Sequence, residues 1–503
     1  MTESRSPIAL ESMSQNAKVS PQAFVESLRQ QTEEFLQSVM KTVNDAPDGE
    51  WIDGSEEGVR DLAAEFRQRV FQAAVQGRVD AAEAAFPPPQ ETILDPVTKR
   101  PVTKTFRNKG RQKTSVLTIN GRVHLSRRWW SSVESGSVVP ADVRLNRSGT
   151  KTTPGVREMA ARLNNDAASF DRAANNLCRT AQVSMSGEQL RQLVQADGRA
   201  ILAAQQTGEI PTAFTATDCA VDPAQPGEGT RVYNGVDGVM VPVIQDQEKA
   251  LRRTKVEDKR KSQNRPLDDL PPRSTGCDEA FKEFKAIVFY DERGDHWHET
   301  LRFCRRPETG DVVRHEAGRL NFSAADERVS IVDGATWIRE QLEELHPDRL
   351  PLDGLGLDFY HLAENVHRCR RDVFGSDDAD GQTWATNLLH QLRHDGYEAA
   401  WETLLTWRVS LNRRGQTKKQ AADRLLNYVQ ERQSMISYPE FREQGWQIGS
   451  GPTESRCKTT TSRLKGRGRR WNPLNAEATA AHTTLRDSKQ WNIFWNISNP
   501  KYN

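Results

Sequence analysis

The sequence predicts a mixed α/β protein in several domains, and three observations carry that reading. Between residues 230 and 361, apolar stretches of strand length recur, among them RVYNGVDGVMVPVI, KAIVFYD, ERVSIV and LPLDGLGLDF. Residues 362–444 then carry only helical patterns, such as TWATNLLHQL, EAAWETLLTW and AADRLLNYVQERQ. The length of 503 residues leaves room for roughly two to four domains.

Taken in order, residues 1–20 are polar and read as a flexible tail. Residues 21–90 read as a helical region: Phe24, Leu28, Phe35 and Val39 fall near helical spacing, and FPPPQ ends the pattern. Residues 91–150 read as a small β module, because apolar and polar residues alternate on both sides of Asn120-Gly121, a hairpin dipeptide. Residues 151–210 return to helix. There SFDRAANNLCRTAQ, the short turn VSMS and GEQLRQLVQADGRAILAAQQ form a helix-turn-helix-like pair, either a DNA reader or an ordinary helical hairpin.

Residues 211–361 hold the strands, with a hairpin expected about Asp291–Gly294. Inside them, EKALRRTKVEDKRKSQNRPLDDLPPRSTG is expected to be a charged, mobile loop. Residues 445–503 close the chain. TTLRDSKQWNIFWN reads as one helix that packs Leu485, Trp491, Phe494 and Trp495 against the sheet.

Composition excludes several classes. The net charge is only +1, so any preference for polyanions must be local. Six cysteines include no C-x-x-C pair, so neither a zinc site nor a disulfide framework is legible. No apolar core of signal-peptide length opens the chain, and no run of about 18 apolar residues occurs. The expectation is a cytoplasmic protein.

The local charge lies in IGSGPTESRCKTTTSRLKGRGRRW, where Glu454 precedes Arg456, Lys458, Arg463, Lys465, Arg467, Arg469 and Arg470. Two further carboxylates sit at strand ends, Asp237 and Asp333, each followed by glycine. An Asp-Gly pair is often only a turn. However, Asp237 lies in mid-stretch, where a turn is awkward, and Asp333 ends the buried run VSIV. Glu454 follows GSGP, which reads as a helix start with Pro452 in the first turn. Three carboxylates converging from two strands and a helix make an oxygen-rich site that suits two Mg²⁺ or Mn²⁺ ions. Such a pair activates an attacking oxygen and stabilises a leaving oxygen at a phosphodiester. The arginines and lysines beyond Glu454 would then grip the DNA backbone.

Four stretches resemble the DDE transposases of bacterial insertion sequences, in the branch related to the Mutator-like superfamily. They are VDGVMVPV (236–243), VDGATWI (332–338), LDFYH (357–361) and YPEFREQGWQIGSGPTESRCK (438–458), which continues into LKGRGRRWNPLNAEA. The resemblance covers roughly 230–495. It implies a ribonuclease H-like core (211–361 and 445–503) interrupted by an all-helical insertion (362–444). Catalytic and metal-binding roles would fall to Asp237, Asp333 and Glu454. The gaps of 96 and 121 positions between them fit that layout. DFYH matches the family's D-x-x-H element and makes Asp358 and His361 auxiliary residues. The competing assignment puts Asp358 in the catalytic set and leaves Asp333 as a turn residue. His361 could instead be a helix-start histidine bonded to backbone.

The implied activity is metal-dependent cleavage at terminal inverted repeats followed by strand transfer into target DNA, by a homodimer or higher assembly on DNA. A catalytically inactive, transposase-derived DNA-binding regulator is the alternative. The chain also departs from the family. RRWWSSVESG has Ser132 and Ser135 where relatives often carry zinc-binding thiols, so the β module is expected to be metal-free. The segment from Cys304 to Val329 looks short for the usual core helix. Trp446 and Trp471 are either core residues or, for Trp446, a stacking partner for a displaced base.

Overall fold

The computed structural model describes residues 19–85, 87–95, 97–145, 151–222, 224, 229–272, 276–343, 349–411 and 415–496. The expected tail at 1–20 lies almost wholly outside them. The chain divides into two compact units, 1–194 and 195–503.

The first unit opens with two helices, α1 (Pro21–Asn44) and α2 (Glu56–Ala85). The Ser20 hydroxyl caps α1 by accepting from the Ala23 N–H, and Phe35 of α1 stacks on Phe66 of α2. Strands β1 (Gln90–Leu94) and β2 (Pro101–Thr105) form an antiparallel pair. Strands β3 (Arg107–Thr118), β4 (Gly121–Ser132) and β5 (Gly136–Val138) form a three-stranded antiparallel sheet. The β3–β4 turn is Ile119-Asn120, and Gly121 at φ +100° supplies the left-handed backbone that closes it. Ser132 and Ser135 both donate to the carboxylate of Glu91, which is buried.

Helices α3 (Asp142–Leu145), α4 (Pro154–Asp166), α5 (Phe170–Ala181) and α6 (Gly187–Gln206) follow. Val156, Leu177, Val183, Leu190 and Val194 share one core with Leu117 of the sheet. From Gln195 onward, α6 belongs to the second unit.

The second unit is a mixed sheet with helices. Its elements, in order, are β6 (Arg231–Pro242), α7 (Asp246–Ser262), β7 (Phe281–Asp291), β8 (Trp297–Arg302), α8 (Arg306–Arg319), β9 (Glu327–Val332), α9 (Thr336–Leu342), β10 (Gly354–Leu357) and α10 (Phe359–Phe374). Then come α11 (Ala379–His394), α12 (Tyr397–Ser410), α13 (Gln416–Glu431), α14 (Tyr438–Glu443), α15 (Gly451–Ser462), α16 (Pro473–Asp487) and α17 (Trp491–Trp495). The spatial strand order is β10-β9-β6-β7-β8. β6, β7 and β8 pair antiparallel as a meander, while β9 lies parallel to β6 and β10 parallel to β9. The C-terminal ends of β6, β9 and β10 therefore face one edge of the sheet, where ligands gather in α/β proteins.

Among the described residues of 362–444, all the regular structure is helical. Leu362, Val366, Leu388, Leu404, Leu425 and Val429 join one continuous core with Val232, Val236 and Ile287 of the sheet. Each fully buried side chain of that size contributes about 1.5–3 kcal/mol.

Three expectations are corrected. The charged segment after β6 is not a loop: its first part is the 17-residue helix α7. Between Cys304 and Val329 there is room for α8, which buries Val313, Glu316 and Ala317. The C-terminal stretch is two helices, because Lys489 adopts φ +56° and breaks the chain between Asp487 and Trp491. Among the described residues no helix is long and apolar enough to cross a membrane.

Candidate active site

Asp237 stands inside β6 opposite Ala286 of β7, so its Asp-Gly pair is strand and not turn. The register with β9 brings Asp333 to it. Arg231 pairs with Glu327 and Asn234 with Ser330, a constant offset of 96. Asp237 and Asp333 are also 96 apart. Ladder pairing stops at Asn234 and β9 ends at Val332, so the shared offset points Asp333 toward Asp237 with no backbone pairing between the two.

Electrostatics record the closeness. Burial pushes the Asp237 carboxyl above its ordinary value and the Asp333 charge adds to that rise. The Cys457 thiol and the Gly238 N–H, which donates to Asp237 Oδ1 at 2.6 Å, act the other way, as does the nearby His361.

Asp333 follows the last residue of β9 and is half-buried. Its Oδ1 accepts from the Ala335 N–H at 2.8 Å. Gly334 turns the chain at φ +74°, and its carbonyl accepts from Arg432 Nε at 3.0 Å. An arginine just past α13 thus ties the helical segment to the loop that aims Asp333.

Glu454 lies in the first turn of α15, with Pro452 ahead of it. The helix approaches the sheet closely because Gly235 has no side chain: a Cβ there would overlap the Thr453 hydroxyl. That approach sets Cys457, one turn beyond Glu454, against Asp237. Glu454 is half-exposed. Its Oε1 lies 3.9 Å from His361 Nε2 and its Oε2 3.6 Å from Lys458 Nζ.

Asp358 has a different environment. It is buried, caps α10 by accepting from the His361 N–H at 2.8 Å, and accepts from the Ser450 N–H at 2.5 Å and from the Ser450 hydroxyl. Its own N–H donates to the Val332 carbonyl at 2.8 Å, and the Phe359 N–H donates to Ile448 at 2.9 Å. Asp358 is thus a pin between the start of α10 and the residue that precedes α15. Between the two competing assignments, its geometry gives it a positioning role, while Asp333 keeps a partly open carboxylate beside Asp237. The His361 ring lies between two glutamates, with Nδ1 3.7 Å from Glu364 and Nε2 3.9 Å from Glu454.

The seven basic residues separate into two groups. Arg463 is buried under Trp471, 5.5 Å from the ring centroid, and desolvation pulls its guanidinium down to about 10. Arg456 lies 4.2 Å over the Trp297 ring, with Asp487 at 3.5 Å and Glu299 at 3.9 Å. Arg469 donates to the Arg463 carbonyl. These three make internal contacts, which sets Arg456, Arg463 and Arg469 apart from the exposed residues of the run. Lys458, Lys465, Arg467 and Arg470 are exposed, and Arg470 lies 3.7 Å from Glu248.

Trp446 packs edge-on against Phe441 at 5.1 Å and closes over Gly354, so its ring is spent on packing. Trp471 is core, with Nε1 donating to Leu464 at 3.0 Å.

Sequence reading missed Gly235, Ser450, Cys457 and Arg432. Ser450 carried a signal, since a serine beside Gly-Pro marks a helix start. The other three depend on tertiary approach.

The carboxylates present fit hard, oxygen-seeking cations by donor type. Among the described residues, no three His, Cys, Asp or Glu side chains are yet gathered as one ligand set. Glu454, turned toward His361 and Lys458, would have to rotate toward the aspartates to complete one. Comparison with models of known families gives no match for this chain, and comparison with curated proteins gives none either.

Proposed function

We propose that the protein is a DDE-type DNA transposase. It would bind the terminal inverted repeats of its element, cleave a phosphodiester at each end and transfer the freed 3′-hydroxyl to target DNA. The observation that supports this reading is that Asp237 lies near the charge of Asp333 and against Cys457 of the helix that bears Glu454. It is supported by the strand order: numbered along the chain within the sheet, a 3-2-1-4-5 arrangement with only the second strand reversed suits a ribonuclease H-like core. The helical stretch between Asp358 and Glu454 would be the insertion in that core.

Asp237, Asp333 and Glu454 would hold Mg²⁺ or Mn²⁺, which supplies activation of the attacking oxygen and charge stabilisation of the leaving one. The remaining roles belong to the chain. Asp358 fixes the start of α15 through Ser450. His361, 3.9 Å from Glu454, would help to orient that carboxylate. Lys458, Lys465, Arg467 and Arg470 would contact DNA phosphates, positioning the backbone without reading sequence. Two DNA ends must meet for strand transfer, so a dimer or larger assembly on DNA belongs to the proposal.

The test is incubation of the full chain with Mn²⁺ and a linear DNA carrying the sequences that flank its own coding region. Nicks at defined positions are expected in wild type. They should disappear in Asp237→Ala, Asp333→Ala and Glu454→Ala while DNA binding persists. Metal-independent nicking, or nicking retained in all three variants, overturns the proposal.

A further inference from the structure

Helix α7 follows the C-terminal end of β6, the strand that carries Asp237. It is 17 residues long and buries none of them. An isolated helix of that length is marginal in water, and this one has only a half-buried side to hold it, at Asp246, Ala250, Arg253, Glu257 and Arg260.

Its two sides differ. Arg253 and Arg260 turn to one side, where they donate to the carbonyls of Pro271 at 2.6 Å and Pro266 at 2.7 Å. The returning chain is thereby strapped along the helix. Arg252, Lys255 and Lys259 share another face, at spacings of three and four residues. All three are exposed. Lys255 and Lys259 have no ion-pair partner among the described residues, and Arg252 meets only Glu248 of its own helix. From Asp246 to Ser262, seven Lys and Arg residues stand against four Asp and Glu. At its base, Glu248 reaches Arg470, so the basic face adjoins the exposed residues that follow Glu454.

We propose that the segment from Asp246 to Pro272 is a DNA clamp whose Arg252–Lys255–Lys259 face lies along the phosphate backbone of duplex DNA leading into the carboxylate site. The inference rests on the transposase reading for the identity of the polyanion. Contacts of this kind are indifferent to sequence and sensitive to salt, and they extend the footprint beyond the cleaved phosphate.

The test compares the full-length wild type with the triple variant Arg252→Ala/Lys255→Ala/Lys259→Ala. Alanine favours helix, so α7 persists, which circular dichroism checks. Affinity for a fluorescent duplex is measured by anisotropy from 50 to 300 mM NaCl, with one duplex from the coding-region flank and one of unrelated sequence. Three lost phosphate contacts lower the slope of log K against log salt by about 2.7. The variant should therefore bind both duplexes at least tenfold more weakly at low salt. A variant with wild-type affinity and slope overturns the clamp and leaves the catalytic reading standing. A wild type that binds neither duplex overturns both. Weakening confined to the flank duplex also overturns the clamp, because it would mean base reading.

Discussion

Asp358 and Asp333 compete for one role in the sequence, and substituting each by alanine separates them by stability alone. In Asp358→Ala, α10 loses its N-cap, worth about 1 kcal/mol. The Ser450 N–H and hydroxyl both lose their acceptor while Ser450 stays buried, at about 1–3 kcal/mol for each stranded group. The total is roughly 5 kcal/mol, a fall in melting temperature of about 10 °C for a unit of this size. In Asp333→Ala, one hydrogen bond to a half-exposed turn is lost and a charge that burdens Asp237 is removed. The net change is within about 1 kcal/mol. Thermal and urea unfolding of both variants gives the comparison. An Asp358→Ala protein within 1 kcal/mol of wild type, beside an Asp333→Ala protein that is severely destabilised, refutes the division of roles.

Three further outcomes are expected. Burial raises the Glu299 carboxyl to about 8, with the charge of Asp487 adding to it, so the folded chain holds a proton that the unfolded chain releases near pH 4.5. This group's contribution therefore makes stability fall as pH rises from 4.5 to 8 and level off above, by roughly 5 kcal/mol in all; Glu299→Gln, whose amide oxygen still accepts from Thr460, should abolish that slope in unfolding titrations. Gly235→Ala should push α15 off the sheet and lower the end-cleavage rate at least a hundredfold, and a rate within threefold of wild type would contradict the close approach. Arg463→Ala should lower stability without changing the salt slope of DNA binding, whereas Arg467→Ala should reduce that slope by about 1 and leave stability unchanged.

The strands were legible because they are buried runs with one period, and the acids because each interrupts or ends such a run. Asp237 within GVDGVMV and Asp333 after VSIV are polar residues in apolar company. Helix α7 was not legible, since helical periodicity is visible only when one face is apolar, and the half-buried side of this helix is mostly charged. Helix α8 was obscured by a short apolar stripe of Val312, Val313 and Ala317 among charges. The break at Lys489 has no signature, because lysine at φ +56° is unfavourable and is imposed by packing on both sides. Charge type hid the split in the basic run. Arg456 and Arg463 lie seven residues apart, two helical turns, and that spacing puts them on one side, where Arg463 is buried and Arg456 half-buried. Asp358 carried an unused signal: an aspartate directly before a helix is an N-cap candidate.

The central claim is that Asp237, Asp333 and Glu454 share one divalent-cation site. Titration of the full chain with Mn²⁺, followed by electron paramagnetic resonance of the free ion, measures it without DNA or turnover. Wild type should bind Mn²⁺, Asp237→Asn and Asp333→Asn should each weaken binding at least tenfold, and Glu454→Gln should weaken it measurably. Wild-type Mn²⁺ affinity in both aspartate variants, or no Mn²⁺ binding by wild type, would contradict it.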